Sequence, residues 1–411
     1  YGDIRHVLLL ASLILAVVAA AAVIDRASAP VELIPVAVPA LVVAALWDGR
    51  MALNMSLILA VLLSGQTPFL GITALFVLVM GGAAAALSVR VVRRRAQTWV
   101  FISIISAAYV AAALALGLMR SWEPWDVLWS AGWGTLNAIA SALLAMGFLP
   151  LLESFTRITT DQTLLELADL SRPLLKRLSL EAPGTYAHSI SVANLAEAAA
   201  RAVEANPLLA RVGAYYHDIG KVVRPQYFIE NQPQGRNPHD KLKPGTSASI
   251  VRNHVLEGLR LADEAKLPDS VKAFVAEHHG TQPIGFFLDK AREDNPEGLN
   301  PADFSYPGPK PRGKETAILM LADSVESAAR VLHDPTPERI RALVNRIVDA
   351  KIAQGQLDET PLTLRDLTRI KEQFVAILSG MYHHRIDYPM TRELSGAPAT
   401  VATSARDAGG N

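Results

Sequence analysis

Six apolar stretches, at about 6–24, 29–47, 51–65, 68–89, 98–119 and 126–149, crowd the chain before residue 150. Most approach the roughly 20 residues that cross a hydrocarbon core, the third being the shortest. Residues 1–149 contain no lysine and few acids, whereas 150–390 have ordinary globular composition. The 51% hydrophobic and 19% charged shares therefore average two unlike halves. A soluble core does not string so many long uncharged runs on such short loops, and neither a signal peptide nor a surface helix accounts for six. Residues 1–149 are expected to form a polytopic helical membrane domain in contact with a lipid bilayer.

Arginines orient it. Arg90, Arg93, Arg94 and Arg95 cluster between the fourth and fifth stretches, and such clusters stay on the cytoplasmic side. Counting spans forward delivers residue 150 to the cytoplasm, and counting back places Tyr1 there too. Loop 120–126, with Trp122 and Trp125, then lies outside as an aromatic interfacial anchor. No acid or base is expected buried in mid-span, which disfavours an ion path or transporter. A chain that begins with Tyr1 rather than Met is expected to be a fragment.

A length of 411 residues suggests two or three domains. The zero net charge gives no footprint for a nucleic acid polymer. The absence of cysteine excludes disulfides, thiolate metal sites and a cysteine nucleophile. Internal repeats are not evident.

Residues 150–187 are expected to form an amphipathic connector helix, with Thr160-Asp161 as a cap before Leu164, Leu165, Leu167 and Leu170. It could relay a signal from the bilayer or serve as a plain spacer. Segment 188–390 shows helical periodicity throughout, with helices predicted at 191–203, 208–217, 247–265, 270–279, 316–332, 337–353 and 364–382. Residues 283–313, with six prolines, are predicted to be a long functional loop. Residues 391–411, rich in Ala, Gly, Ser and Thr, are predicted to be a disordered tail.

The chemistry gathers at Tyr215-Tyr216-His217-Asp218-Ile219-Gly220-Lys221, where an alanine-rich helix ends. Adjacent imidazole and carboxylate groups suit Mn, Fe, Zn or Mg. The same residues also make an ordinary helix C-terminus, with Gly220 at the cap and His217 in the last turn. The other histidines add weight. His188, His254, His278 and His279 recur at the ends and inner faces of consecutive helices, and His239 lies in a proline-rich loop. Bundle cores are where such metal sites are built. Asp323 interrupts the apolar run Ile318-Leu319-Met320-Leu321-Ala322, and a carboxylate buried there needs a metal or a partner such as Arg330 or Arg341.

The order His188…His217-Asp218…Asp323 resembles the HD-domain metal-dependent phosphohydrolases, and Ile219-Gly220 extends the likeness to the HDIG subgroup. Leu180-Glu181-Ala182-Pro183-Gly184-Thr185-Tyr186, Tyr227-Phe228-Ile229-Glu230-Asn231-Gln232, Tyr306-Pro307-Gly308-Pro309-Lys310 and Ala322-Asp323-Ser324-Val325-Glu326 look like the seven-transmembrane HD receptors, whose members include bacterial cyclic-di-AMP phosphodiesterases. The likeness runs from the apolar stretches to about residue 390. It implies an all-helical HD bundle over 188–390 in the cytoplasm, behind a bacterial inner-membrane domain. It also implies an extracellular domain and one further span upstream.

The resemblance implies one metal held by His188, His217, Asp218 and Asp323. A second would be held by His254, His278 and His279, with Asp218 bridging. It favours two Mn or Fe ions, and His-rich ligation also admits Zn and Co. The expected reaction is attack of a metal-bridging hydroxide on phosphorus, opening cyclic-di-AMP to linear pApA. Lys221 would offset phosphate charge or act as a helix C-terminal cation, while Tyr227, Asn231 and Gln232 would stack on or hydrogen-bond a base. Cyclic-di-GMP hydrolysis is the nearest alternative, but the Gly-Tyr-Pro signature of that branch is missing, since Ser305-Tyr306-Pro307-Gly308 lies too far on. A nucleotide phosphohydrolase acting on dNTPs or (p)ppGpp is a weaker one. A membrane receptor that binds a cyclic dinucleotide without cleaving it is disfavoured by the complete ligand set. Homodimerisation is left open by the sequence.

Overall fold

The computed structural model describes residues 3–89, 97–232, 237–294 and 299–382. Among them the chain is all-helical, and its only extended pairing is an isolated bridge between Pro283 and Ser305. The arginine cluster at 90–95 and the 391–411 tail lie outside the described residues.

The apolar half folds into α1 (Ile4–Arg26), α2 (Ala37–Leu46), α3 (Gly49–Ser64), α4 (Ile72–Ser88), α5 (Gln97–Arg120) and α6 (Pro124–Thr156). Three of these, α1, α5 and α6, are long and apolar enough to cross a membrane by themselves. The expected span at 29–47 is not one helix. Pro30 and Pro35 withhold backbone donors, so the chain makes a 3-10 turn at Val31–Leu33 and becomes helical only at Ala37. The 10 residues of α2 rise only about 15 Å, and most of them are buried among the other helices, where irregular backbone at membrane depth can be satisfied.

An acid is buried in this half, outside mid-span. Glu32 is 6% exposed; its Oε1 accepts Ser130 Oγ at 2.5 Å, and its carbonyl and that of Ile34 accept Asn137 Nδ2. Glu32 stands between the two prolines near the start of its stretch, where hydropathy alone does not show it enclosed.

Large apolar side chains such as Leu15, Ile58, Leu62, Leu118 and Leu143 face outward, while the interior is close-packed with alanine and glycine. Gly81 meets the hydroxyl end of the Tyr109 side chain and Gly134 its Cβ end, and a Cβ on either would run into it.

The long helix α6 continues past its expected end at 149, through Pro150, and stops where Arg157 turns left-handed (φ 58°). Glu153 then accepts Thr160 N–H and Thr163 Oγ1, both at 2.9 Å, tying α6 to α7 (Asp161–Leu167). The expected connector helix is thus three pieces: the end of α6, then α7, then α8 (Pro173–Glu181). Leu164, Leu167, Leu175 and Leu178 belong to the hydrophobic core of the second domain, so these pieces are packed structure rather than spacer.

That second bundle holds α9 (Pro183–Ala202), α10 (Pro207–Tyr216), α11 (Pro244–Glu264), α12 (Asp269–Glu277), α13 (Gly285–Asp294), α14 (Lys314–Arg330), α15 (Pro337–Ala353) and α16 (Leu364–Met381). The predicted helices recur with small shifts, except that α9 begins at Pro183, where Pro is suited to the first turn. The predicted 283–313 loop contains α13, whose Phe287, Leu288 and Ala291 pack on Ala248 and Phe304. At the centre runs α14, with Ala317 to Ala322 and Val325 fully buried. Apolar burial of this extent anchors Asp323 in the middle of the bundle.

Candidate active site

His188 lies on the buried face of α9, and His217 and His278 cap the C-termini of α10 and α12. His254 lies on the buried face of α11, and Asp323 on α14. Asp218 begins the 3-10 turn Ile219–Val223. That turn lies directly against α11, with Gly220 so close to the His254 carbonyl that a Cβ would overlap it. Only glycine admits this approach, and it places Asp218 among the histidines.

Two trios result. The ligand atoms of His188, His217 and Asp323 lie within 4.8 Å of one another, as do those of His254, His278 and His279. Asp218 stands between them. Its Oδ2 is 3.2 Å from His217 Nε2 and 3.8 Å from His188 Nε2. Its Oδ1 is 3.4 Å from His254 Nε2 and 3.6 Å from His278 Nε2.

The ring orientations are fixed from behind. Nδ1 of His217 donates to the Ala214 carbonyl at 2.8 Å, that of His254 to Val251 at 2.6 Å and that of His278 to Val275 at 2.9 Å. His188 Nδ1 bonds Glu326 Oε2 at 2.5 Å, and Glu326 is held by Arg330 at 2.5 Å. With each Nδ1 so engaged, four Nε2 atoms turn toward Asp218 and Asp323. His217 Nε2 and Asp218 Oδ1 are buried with no hydrogen-bond partner among the described residues. Orphaned, fully buried nitrogen and oxygen donors set between two trios are what divalent cations would satisfy.

Two family models match the chain: the 7TM receptor with intracellular HD hydrolase over residues 1–160, and the HD domain over 185–328. Cyclic-di-AMP phosphodiesterase PgpH of Bacillus subtilis is 40% identical over 369 residues, covering 87% of this chain and 51% of that protein. The protein of the same name from Listeria monocytogenes is 39% identical over 322 residues, covering 78% of this chain and 44% of its own. The crystal structure of the L. monocytogenes PgpH HD domain in complex with cyclic-di-AMP is 44% identical, with a TM-score of 0.50, covering 53% of this chain and all of that one. The chain belongs to the seven-transmembrane HD receptors. It spans about half the length of the curated relatives it matches.

The electrostatics of this receptor's HD domain follow from the enclosure. Burial opposes the charge on Asp218, but His217 and Lys221 beside it hold its carboxyl well below the usual range. Burial likewise opposes Asp323, and the hydrogen bond from His188 outweighs it. For His188, burial disfavours the imidazolium, yet hydrogen bonds to Asp323 and Glu326 raise its pKa to about 10. Burial pushes His254 down to about 3 despite Asp218 nearby, and it drives His279 well down too, helped by His278.

Other expected residues fall out differently. Lys221 Nζ pairs with Asp218 at 2.8 Å and Glu230 at 2.9 Å, so it is a buried counter-ion. Asn231 is used by the fold: its Oδ1 accepts Gly184 N at 2.9 Å and Thr185 N at 3.2 Å, and its Nδ2 donates to Thr185 Oγ1. Its polar atoms are thus engaged by the first turn of α9. Tyr227 and Gln232 are half-buried, and His239 stands apart from the metal-ligand cluster, packed between Tyr227 and Phe287. Arg330 pairs with Glu326 rather than Asp323. Glu230 and Glu326 stood inside the quoted motifs without a role. Tyr306 stacks on His279 at 4.1 Å.

Proposed function

We propose that this chain is a membrane-anchored metal-dependent phosphodiesterase that hydrolyses cyclic-di-AMP to linear pApA, with its HD domain in the cytoplasm. The observation that carries the reading is the position of Asp218, whose two oxygens face histidines of separate ligand trios at 3.2–3.8 Å. In this reading His188, His217, Asp218 and Asp323 hold one ion and His254, His278, His279 and Asp218 the other, with Mn or Fe favoured by the donors. Divalent ions bound there would supply Lewis acidity, acidifying water and offsetting phosphodiester charge.

The chain's own residues do the rest. Glu326 and the three backbone carbonyls orient the imidazoles. Lys221 keeps Asp218 ionised and oriented. Phe228 meets the His254 imidazole edge-on at 5.7 Å, and Tyr227 and Gln232, at the ends of the short turns either side of Phe228, are proposed to contact a base. Hydrolysis adds water across one P–O3′ bond, leaving a 5′-phosphate and a 3′-hydroxyl. The named activity of the PgpH relatives supports adenine over guanine.

The test is to purify the full chain in detergent, load it with Mn, and incubate it separately with cyclic-di-AMP, cyclic-di-GMP and a nucleoside triphosphate. Chromatography should show pApA from cyclic-di-AMP far ahead of any other product. Asp218→Ala should abolish turnover with helicity intact. Preferential cleavage of cyclic-di-GMP would overturn the substrate, and normal turnover in Asp218→Ala would overturn the site.

A further inference from the structure

Lysines flank the metal-ligand cluster on two sides, and they are in opposite electrostatic states. Lys221 is saturated by Asp218 and Glu230. Lys351, in the last turn of α15, is half-buried, and its hydrogen bond goes to the neutral Gln282 Oε1. Among the described residues no carboxylate forms an ion pair with it, and the charge that acts on it favourably is that of Asp323. Burial without a counter-ion lowers its pKa to about 8.

Gln282 ties Lys351 to the site. Its N–H donates to the His279 carbonyl at 3.2 Å, and its carbonyl accepts Tyr306 N at 3.0 Å. A lysine can only donate, so the atom it meets is the amide oxygen and the other end of the side chain is the NH₂ group. That Nε2 is buried and has no partner among the described residues. An unpaired ammonium and an orphaned amide donor thus share one side chain's breadth, beside His279, which itself lies 4.0 Å from Asp323. Both lack the same thing, an anionic oxygen.

We propose that Lys351 Nζ and Gln282 Nε2 form a phosphate subsite, taking an oxygen of the substrate's phosphodiester on the His279 side of the metal-ligand cluster. This rests on the phosphodiesterase reading above and adds residues to it. Lys351 is suited to bind the substrate's charge, whereas Lys221 is committed to the protein's own carboxylates. Gln282 both positions the lysine and contributes a second donor.

The test compares the full Mn-loaded chain with Lys351→Ala, Lys351→Arg and Gln282→Leu, using cyclic-di-AMP and the generic phosphodiester bis(p-nitrophenyl) phosphate. A charge-assisted contact predicts that Lys351→Ala raises KM about tenfold or more for at least one substrate. Lys351→Arg should recover most of that loss, and Gln282→Leu should show a smaller rise. Metal content should stay at the wild-type value, separating a substrate contact from a structural one. Unchanged KM for both substrates in Lys351→Ala, or a KM rise matched by loss of metal in all three variants, overturns the subsite. If the wild-type chain leaves cyclic-di-AMP intact, the substrate reading fails on its own. The bis(p-nitrophenyl) phosphate comparison then decides the subsite.

Discussion

Glu326 Oε2 lies 2.5 Å from His188 Nδ1, and this contact sets which nitrogen of His188 faces the site. An ionised carboxylate accepts, so without metal Nδ1 donates to Glu326 and Nε2 donates to Asp323 at 3.0 Å, and Glu326 keeps the Nδ1 proton in place when Nε2 gives its own up. Arg330 holds the far oxygen of Glu326, extending the chain of support from a half-exposed cation to a buried ligand. The imidazole is thereby fixed in angle and made more basic.

Glu326→Gln should therefore weaken metal binding at the His188 trio by about 10- to 100-fold without unfolding the bundle. Competition with a chelator of known affinity, followed by elemental analysis of the full chain, measures it. Wild-type metal retention in Glu326→Gln would show that His188 needs no orienting partner.

Proton release is the second prediction. Without metal, His188 titrates at about 10, so at pH 8 it is an imidazolium between Asp323 and Glu326. A metal ion ligated by Nε2 must displace that proton, while Glu326 retains the one on Nδ1. Affinity at this trio should then rise about tenfold per pH unit up to roughly pH 10, with about one proton released per ion. His254, held near 3, is already neutral and contributes no proton. Calorimetry in buffers of differing ionisation heat reads the proton count. A count of zero would mean that His188 is neutral before metal arrives.

How legible this was in the sequence depended on the range of each interaction. Helix type was written in local periodicity, and α15 was placed at 337–353 to the residue. His217-Asp218 and Gly220 carried their signal in adjacent positions. Glu326 and Glu230 were visible as residues, but their partners lie 138 and 45 positions away, at His188 and Thr185, and spacing says nothing of such pairings. Lys351 had no signal at all, being one cation in an amphipathic helix until tertiary packing encloses it. The break near Pro35 was legible in principle, because two prolines within six residues argue against a continuous span, but hydropathy averaged over the window hid it. α13 was lost because the prolines around it outweighed a short helical run.

Asn231→Ala separates helix capping from base recognition. Its amide serves Gly184 N, Thr185 N and Thr185 Oγ1, so its removal should cost about 1–2 kcal/mol of stability. KM for cyclic-di-AMP should change less than about threefold, well under the loss that a buried base contact would give. Thermal melting and steady-state kinetics on the same preparation check both halves. A large KM rise with an unchanged melting temperature would return Asn231 to the binding site.

Gly220→Ala tests the turn that places Asp218. A Cβ at this position would overlap the His254 carbonyl, and α11 cannot yield because Gly258, one turn on, is itself in contact with Val275. The 3-10 turn must lift instead, taking Asp218 Oδ1 away from His254 and His278, now 3.4 and 3.6 Å distant. Overpacking of this kind costs about 1–3 kcal/mol. The expected result is a melting temperature lower by several degrees, together with loss of metal from the His254 trio before the His188 trio. His188 and Asp323 belong to α9 and α14, which that turn does not carry. Equal loss from both trios would show that the turn supports the whole site rather than one side of it. A metal content and melting temperature equal to wild type would show that the close approach of Gly220 to α11 is not what holds Asp218 between the histidines.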